Sequence, residues 1–226
     1  MQALGKPKFR CEGRLERQLH GAGYRLVAGV DEAGRGSLFG PVFAAAVILS
    51  PERPIGGLRD SKLLEAQRRE ELAAAIRERA TAWSVGSVEA FLIDRINILQ
   101  ASRLAMKRAI EQLEPPADYL LLDAVSVDLP LPQQPIIHGD ARCQAIAAAS
   151  ILAKVSRDQA MREFDQVYPQ YGLARHKGYG TAEHLRALEQ LGPTAHHRFS
   201  YEPVRAACAG RRQLEFRWEP QEPAWK

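Results

Sequence analysis

The chain has few cysteines, few aromatic residues and no long apolar run. Cys11, Cys143 and Cys208 are three in number, odd and widely separated among 226 residues. This excludes a disulfide framework and a zinc site of the CxxC type, and a reducing, cytoplasmic compartment fits it. No stretch reaches the roughly 18 apolar residues that a membrane-spanning helix requires, so no membrane association is expected. The N-terminal segment MQALGKPKFRCEGRLERQLH is basic but lacks an apolar centre, and it does not read as a signal peptide. There is no internal repeat and no compositional break that would mark a linker.

What is present fits one α/β domain. Apolar residues make up 46% and charged residues 26%, ordinary values for a globular chain whose length can close one full core. The net charge of +4 leans toward an anionic partner. Residues 12–22 have amphipathic helical spacing, with Leu15 and Leu19 four apart. A strand is expected over 24–31, closing at Asp31. The continuous apolar run 41–49 reads as a strand buried on both faces. A helix is expected from Ser61, a strand over 82–89 and a helix over 90–113. A strand over 118–125 carries Asp123 near its end, and a short fifth strand over 133–140 leads to Asp140. An alanine-rich helix (145–164) and a helix over 182–191 follow, and the closing RWEPQEPAWK is expected to fray. The first two strands suit an antiparallel pair, the later ones parallel pairing, in a mixed sheet with helices on both faces.

The stretch GVDEAGRGSLFGPV (29–42) carries two acids inside a glycine-rich loop. Neither nucleotide-loop pattern survives there. Arg35 stands where G-x-x-x-x-G-K-[ST] needs lysine, and GRGSLFG misses G-x-G-x-x-G by one residue. Asp31 and Glu32 would moreover repel a nucleotide's phosphates. If the strands are neighbours, Asp31, Glu32, Asp123 and Asp140 gather at one sheet edge. Clustered carboxylates repel unless a cation neutralises them, and hard oxygen ligands suit Mg²⁺ or Mn²⁺. Taken singly, Asp140 reads as the N-cap of the following helix and Asp123 as a solvated loop acid. Lys154 and Arg157 read as a solvated helix face, His196-His197-Arg198 as a basic surface loop, and Cys143 as a small buried residue. His176 and His184 are too far apart for a helical zinc pair.

Assembled, these residues closely resemble the bacterial ribonuclease HII family. The matching segments are DEAGRG (31–36), DSK (60–62), RINILQASRLAMKRA (95–109), AAASILAKVSRD (147–158) and HKGYGTAEH (176–184), in order from about Gly29 to Val204. The resemblance implies a ribonuclease H-like fold with a mixed five-stranded sheet and a helical C-terminal extension. It divides the single domain 1–226 into an N-terminal helix (1–25), a core (26–204) and a tail (205–226). It implies hydrolysis of the RNA strand of RNA–DNA hybrids and incision 5′ of ribonucleotides embedded in duplex DNA. Two divalent cations, Mg²⁺ or Mn²⁺, would be used, leaving 3′-hydroxyl and 5′-phosphate ends and removing misincorporated ribonucleotides. By the same resemblance Asp31, Glu32, Asp123 and Asp140 are the metal-binding carboxylates. Gly34, Arg35 and Gly36 sense the ribose 2′-hydroxyl, Lys62 contacts phosphate, and Tyr179 stacks on the deoxyribose beyond the junction. A monomer is expected, and a sliding-clamp partner is left open. Ser37, Ala124 and Arg142-Cys143 depart from the family's usual proline, glycine and Lys-Ser. The rivals are a non-catalytic hybrid-binding protein on the same fold and another two-metal nuclease such as a DNA exonuclease.

Overall fold

The computed structural model describes residues 11–215. Five strands, β1 (Val27–Ala33), β2 (Val42–Ile48), β3 (Ala82–Val88), β4 (Tyr119–Asp123) and β5 (Gln133–Ile136), form one sheet in the order β3-β2-β1-β4-β5. The short loop between β1 and β2 makes them antiparallel, and β3 continues the meander. β4 returns through helical crossovers and pairs parallel with β1, and β5 pairs parallel with β4. This is the expected mixed sheet.

The strands are apolar on both faces because helices cover both. Ala28, Val30, Ala44, Ala46, Leu120 and Leu122 bury against α3 (Ala90–Glu111) through Ala101, Ala105 and Met106. The alternate residues Ala45 and Val47 face α2 (Ala66–Arg79) and α4 (Gln144–Val167), as the two-residue period of a strand requires. Two glycines set how closely the helices approach. A Cβ on Gly29 would sit 2.0 Å from the Ala145 carbonyl carbon of α4, and one on Gly86 would sit 2.4 Å from Ala105 O of α3. Backbone therefore lies directly on backbone at both points. The alanines of α4 extend this contact across β1 and β2.

α1 (Arg14–Gly21) caps the start of α4: Glu16 Oε1 accepts the Ala145 N–H at 2.9 Å and the Cys143 S–H at 3.2 Å. A carboxylate there also complements the helix dipole. Burial pushes the Cys143 thiol well above its usual range, with Glu16 adding to it. Asp140 is thus not the N-cap of α4. It sits in a one-turn 3-10 segment, Gly139–Ala141, and Cys143 occupies the capping position.

Three boundaries differ from expectation. β1 runs two residues past Asp31, because Asp31, Glu32 and Ala33 keep pairing with β2. The helix expected from Ser61 is a single 3-10 turn, Ser61–Leu63, broken by Leu64 in an extended conformation before α2 begins. After α4 a short helix α5 (Leu173–His176) precedes α6 (Ala182–Leu191) and α7 (Glu202–Glu215). α6 starts where expected: Thr181 Oγ1 accepts the His184 N–H. The expected fraying of RWEPQEPAWK lies outside the described residues. Among the described residues no helix is long and apolar enough to cross a membrane.

Candidate active site

The parallel β1–β4 register pairs Val30 with Leu122. The next residues along the two strands are Asp31 and Asp123, so these acids stand side by side at the C-terminal ends of neighbouring strands. Both lie on the α4 face, where Gly29 and Leu121 also point. Asp31 is 5% exposed. Its Oδ1 accepts the Glu32 N–H at 2.7 Å, and the Ser150 hydroxyl of α4 hydrogen-bonds its side chain. Burial raises its pKa well above the usual carboxylate value, and Glu32 and Asp123 raise it further. Asp123 Oδ1 accepts the Gly139 N–H at 2.8 Å, tying β4 to the turn that carries Asp140.

Glu32 follows Asp31 along β1, and its side chain reaches the same cavity. Its Oε1 pairs with Arg35 at 3.1 Å, while its buried Oε2 has no hydrogen-bond partner among the described residues. Burial raises its pKa, and Arg35 opposes that shift. Asp140 is buried beside Asp60 and lies 3.8 Å from Lys62 Nζ. Burial, then Asp60 and Asp123, raise its pKa.

Asp31, Glu32, Gly34, Arg35, Gly36, Lys62, Asp123 and Tyr179 line one cavity of about 260 Å³ together with Ser61, Ser150 and Lys154. Eight of the nine expected site residues therefore meet. Asp140 is the exception: it stands behind Lys62 and does not line the cavity. Lys62 is 81% exposed in its side chain. Tyr179 is 37% exposed, in a loop bridged to Ser37.

The donors suit a hard divalent cation. They are carboxylate oxygens only, they repel one another, and one buried oxygen, Glu32 Oε2, is unsatisfied. Among the described residues no three acidic, histidine or cysteine side chains converge into a ready-made cage. A cation here would take one or two carboxylates and complete its shell with water or phosphate oxygens, the usual habit of Mg²⁺.

Several neighbours were misread or missed in the sequence. Lys154 and Arg157 are not a solvated face: Lys154 pairs with Asp158 and lines the cavity, and Arg157 is 0% exposed. Nor is His196-His197-Arg198 a surface loop, since His197 and Arg198 are fully buried. Arg198 Nη1 donates to Arg35 O at 2.8 Å and its Nε to Gly40 O at 3.0 Å, and Tyr201 Oη also donates to Arg35 O. The glycine-rich loop is therefore held from beneath by the C-terminal part of the chain. A spacing of i, i+4, i+7 for Ser150, Lys154 and Arg157 was the available signal, because it places all three on one helical face. Cys143 is buried, as expected. His176 and His184 do meet, but as stacked rings 4.6 Å apart.

The family profile described as Ribonuclease HII matches residues 28–204. Ribonuclease HII of Solibacter usitatus is 64% identical over 199 residues, covering 88% of this chain and 87% of that protein. Ribonuclease HII of Geobacillus kaustophilus is 52% identical over 201 residues, covering 89% and 77%. Among solved structures, ribonuclease H2 from Pyrococcus horikoshii superposes with a TM-score of 0.70 at 25% identity, over 84% of this chain and all of that one. Bst-RNase HIII in complex with Mn²⁺ shares the fold, with a TM-score of 0.66 at 17% identity over 86% of this chain and 72% of that one. With the profile spanning all five strands and the acids at their ends, the chain belongs to the ribonuclease HII family and is a ribonuclease H, a hydrolase acting on the RNA of RNA–DNA hybrids.

Proposed function

We propose that the chain is a metal-dependent endonuclease that also cuts on the 5′ side of ribonucleotides embedded in duplex DNA, and so removes misincorporated ribonucleotides. The observation that carries this reading is the buried Asp31 placed by strand register beside Asp123, with Glu32 Oε2 unpartnered. Asp31, Glu32, Asp123 and Asp140 would hold Mg²⁺ or Mn²⁺; Bst-RNase HIII, which shares the fold, was solved with Mn²⁺. Two such cations, when bound, would supply charge neutralisation at the scissile phosphate, a more nucleophilic water and stabilisation of the leaving 3′-oxygen.

The protein's own groups bind and orient. Ser150 fixes the Asp31 carboxylate. Lys62 and Lys154 flank the cavity with positive charge for the phosphodiester backbone. Gly36 has open space where a Cβ would stand, so the backbone at 34–36 can approach a sugar edge. Only a ribose presents a 2′-hydroxyl to that edge. The Tyr179 ring packs on the sugar that follows. Eight of the nine expected site residues line one cavity of a single chain, which supports reading the protein as a monomer. Cys11, Cys143 and Cys208 are all free thiols, in keeping with a reducing cytoplasm.

A hybrid-binding protein without catalysis would gain nothing from buried acids set against phosphate. The deciding assay uses a duplex with a single ribonucleotide, an RNA–DNA hybrid and an all-DNA duplex, each with Mg²⁺ or Mn²⁺ and with chelator. Cleavage of the first two, with 3′-hydroxyl and 5′-phosphate ends and loss on chelation, is expected. Binding without product in the presence of metal would support the rival binder, and cutting of all-DNA duplex would support a different nuclease.

A further inference from the structure

Two loops meet above α4, and one buried cation joins them. Arg157 is 0% exposed, yet among the described residues no carboxylate pairs with it, and its neighbour Asp158 is taken by Lys154. Its Nη2 donates to Ser37 Oγ at 2.6 Å and to Lys177 O at 2.8 Å. Ser37 follows directly on Gly34–Gly36, and Lys177 lies two residues before Tyr179. The guanidinium carbon is 5.2 Å from the Tyr179 ring centroid. Among the described residues its Nε and Nη1 have no hydrogen-bond partner, and a Cβ on Gly34 would come within 2.0 Å of that Nε. The glycine loop thus rests on one part of the guanidinium and the tyrosine on its face.

We propose that Ser37 and Arg157 form a buried clamp that sets the gap between the Gly34–Gly36 backbone and the Tyr179 ring, and thereby the preference for a ribonucleotide followed by DNA, an inference that rests on Tyr179 stacking on that sugar. The bonding around Ser37 is specific. Its hydroxyl donates to Phe39 O at 2.9 Å, which leaves an oxygen lone pair for Arg157. Ser37 also bridges to Tyr179, and Leu38 N donates to Gly178 O at 2.9 Å. On the other side of the clamp, Lys177 and Gly178 are both left-handed, with φ of 53° and 74°. A lysine there is strained and persists only where its surroundings hold it, and Arg157 grips its carbonyl. A buried charge with neutral acceptors alone is costly, and an apolar side chain would serve mere stability at least as well. The cation over the ring and the fork reaching two loops are what an apolar residue could not supply. Ser37, a departure from the family's usual proline, thereby acquires a role.

The test measures single-turnover rates on two matched substrates, one with a lone ribonucleotide in DNA and one with an all-RNA strand paired to DNA. Wild type is compared with Ser37→Ala, Arg157→Lys and Tyr179→Ala, with thermal unfolding recorded for each. Ser37→Ala and Arg157→Lys should lower the ratio of lone-ribonucleotide to hybrid rate by about tenfold or more, the scale of one charged hydrogen bond. Lysine keeps the charge but cannot reach both acceptors. Adding Ser37→Ala to Tyr179→Ala should lower the ratio no further, since both act on one contact. If Tyr179→Ala lowers the ratio and both clamp variants leave it unchanged, the clamp is wrong and the stacking stands. If Tyr179→Ala itself leaves the ratio unchanged, the stacking and the clamp fall together. Should Arg157→Lys fail to fold, Ser37→Ala decides alone, since removing one hydroxyl leaves the other supports in place.

Discussion

Two buried histidines should make the stability of this protein fall steeply in mild acid. His184 and His197 are both fully buried, with their Nε2 atoms 3.2 Å apart. Their tautomers follow from their partners. The Thr194 N–H points at His197 Nδ1 at 2.9 Å, so that nitrogen accepts and Nε2 carries the proton. His197 Nε2–H then donates to His184 Nε2, and His184 Nδ1–H donates to Tyr179 O at 3.0 Å. Every step needs both rings neutral, because a second proton would set two N–H groups against each other. Burial is the main cause that lowers the pKa of His184 to about 4, and burial followed by the nearby His184 lowers that of His197 to about 3.

The sign follows from proton counting. Below the unfolded value of about 6.5 the unfolded chain takes up protons that the fold refuses, so stability drops as pH falls from there toward about 4. Each histidine contributes a slope of about 1.36 kcal/mol per pH unit. Over the roughly 1.5 units down to about pH 5, that is about 2 kcal/mol per histidine. Asp31, Glu32 and Asp140 have raised pKa values and act in the opposite sense, gaining stability as pH falls. A difference measurement removes them. Urea unfolding of wild type and His197→Gln at about pH 7.5 and about pH 5 should show wild type losing about 2 kcal/mol more than the variant, which keeps a donor toward His184 but cannot titrate. A difference that does not change with pH would refute the neutral buried pair.

Asp31→Asn should nearly abolish cleavage while the fold survives, because the amide keeps the shape and loses the charge a hard cation needs; turnover near wild type would sink the metal assignment. Mn²⁺ affinity, measured by calorimetry, should weaken as pH is lowered, since carboxylates with raised pKa values must lose their protons to bind; an affinity independent of pH between about 5 and about 8 would contradict this. Gly29→Ala should destabilise by about 3 kcal/mol or more in a denaturant titration, because the new Cβ meets α4 backbone that cannot step aside. Tyr179→Phe should keep most of the junction cleavage that Tyr179→Ala loses, because stacking uses the ring face; equal damage from both would return Tyr179 to a structural role.

The sheet was legible because its strands are buried on both faces and read as unbroken apolar runs, and the acids were legible because they end those runs. The extension of β1 past Asp31 was hidden: a charged residue normally marks the end of a buried strand, whereas here it marks the cavity. Asp140 resembled a helix cap because local pattern cannot show that Glu16, well over a hundred residues earlier, caps α4 instead. Arg157, His197 and Arg198 were misread for the same reason. A basic residue is normally solvated, and their burial depends on contacts between loops far apart in sequence. Arg198 supports Arg35 from 163 residues away, and nothing in either segment alone announces it.

α4 explains why the site needs such contacts. Along one face it presents Ser150 to Asp31, Lys154 to the cavity and Arg157 to the two loops. Each can reach its target only because the helix lies on the sheet at backbone distance, which Gly29 permits. A side chain at Gly29 would lift the start of α4 away from β1, and Ser150 would then draw away from a carboxylate whose burial already favours its neutral form. The distance between one glycine and one helix backbone therefore bears on the charge state of Asp31, on the lysine beside it and on the spacing of the two loops above. Acids can sit within a glycine-rich loop here because Arg35 of the loop offsets Glu32, Lys62 offsets Asp140, and the helix beneath supplies Ser150 to Asp31.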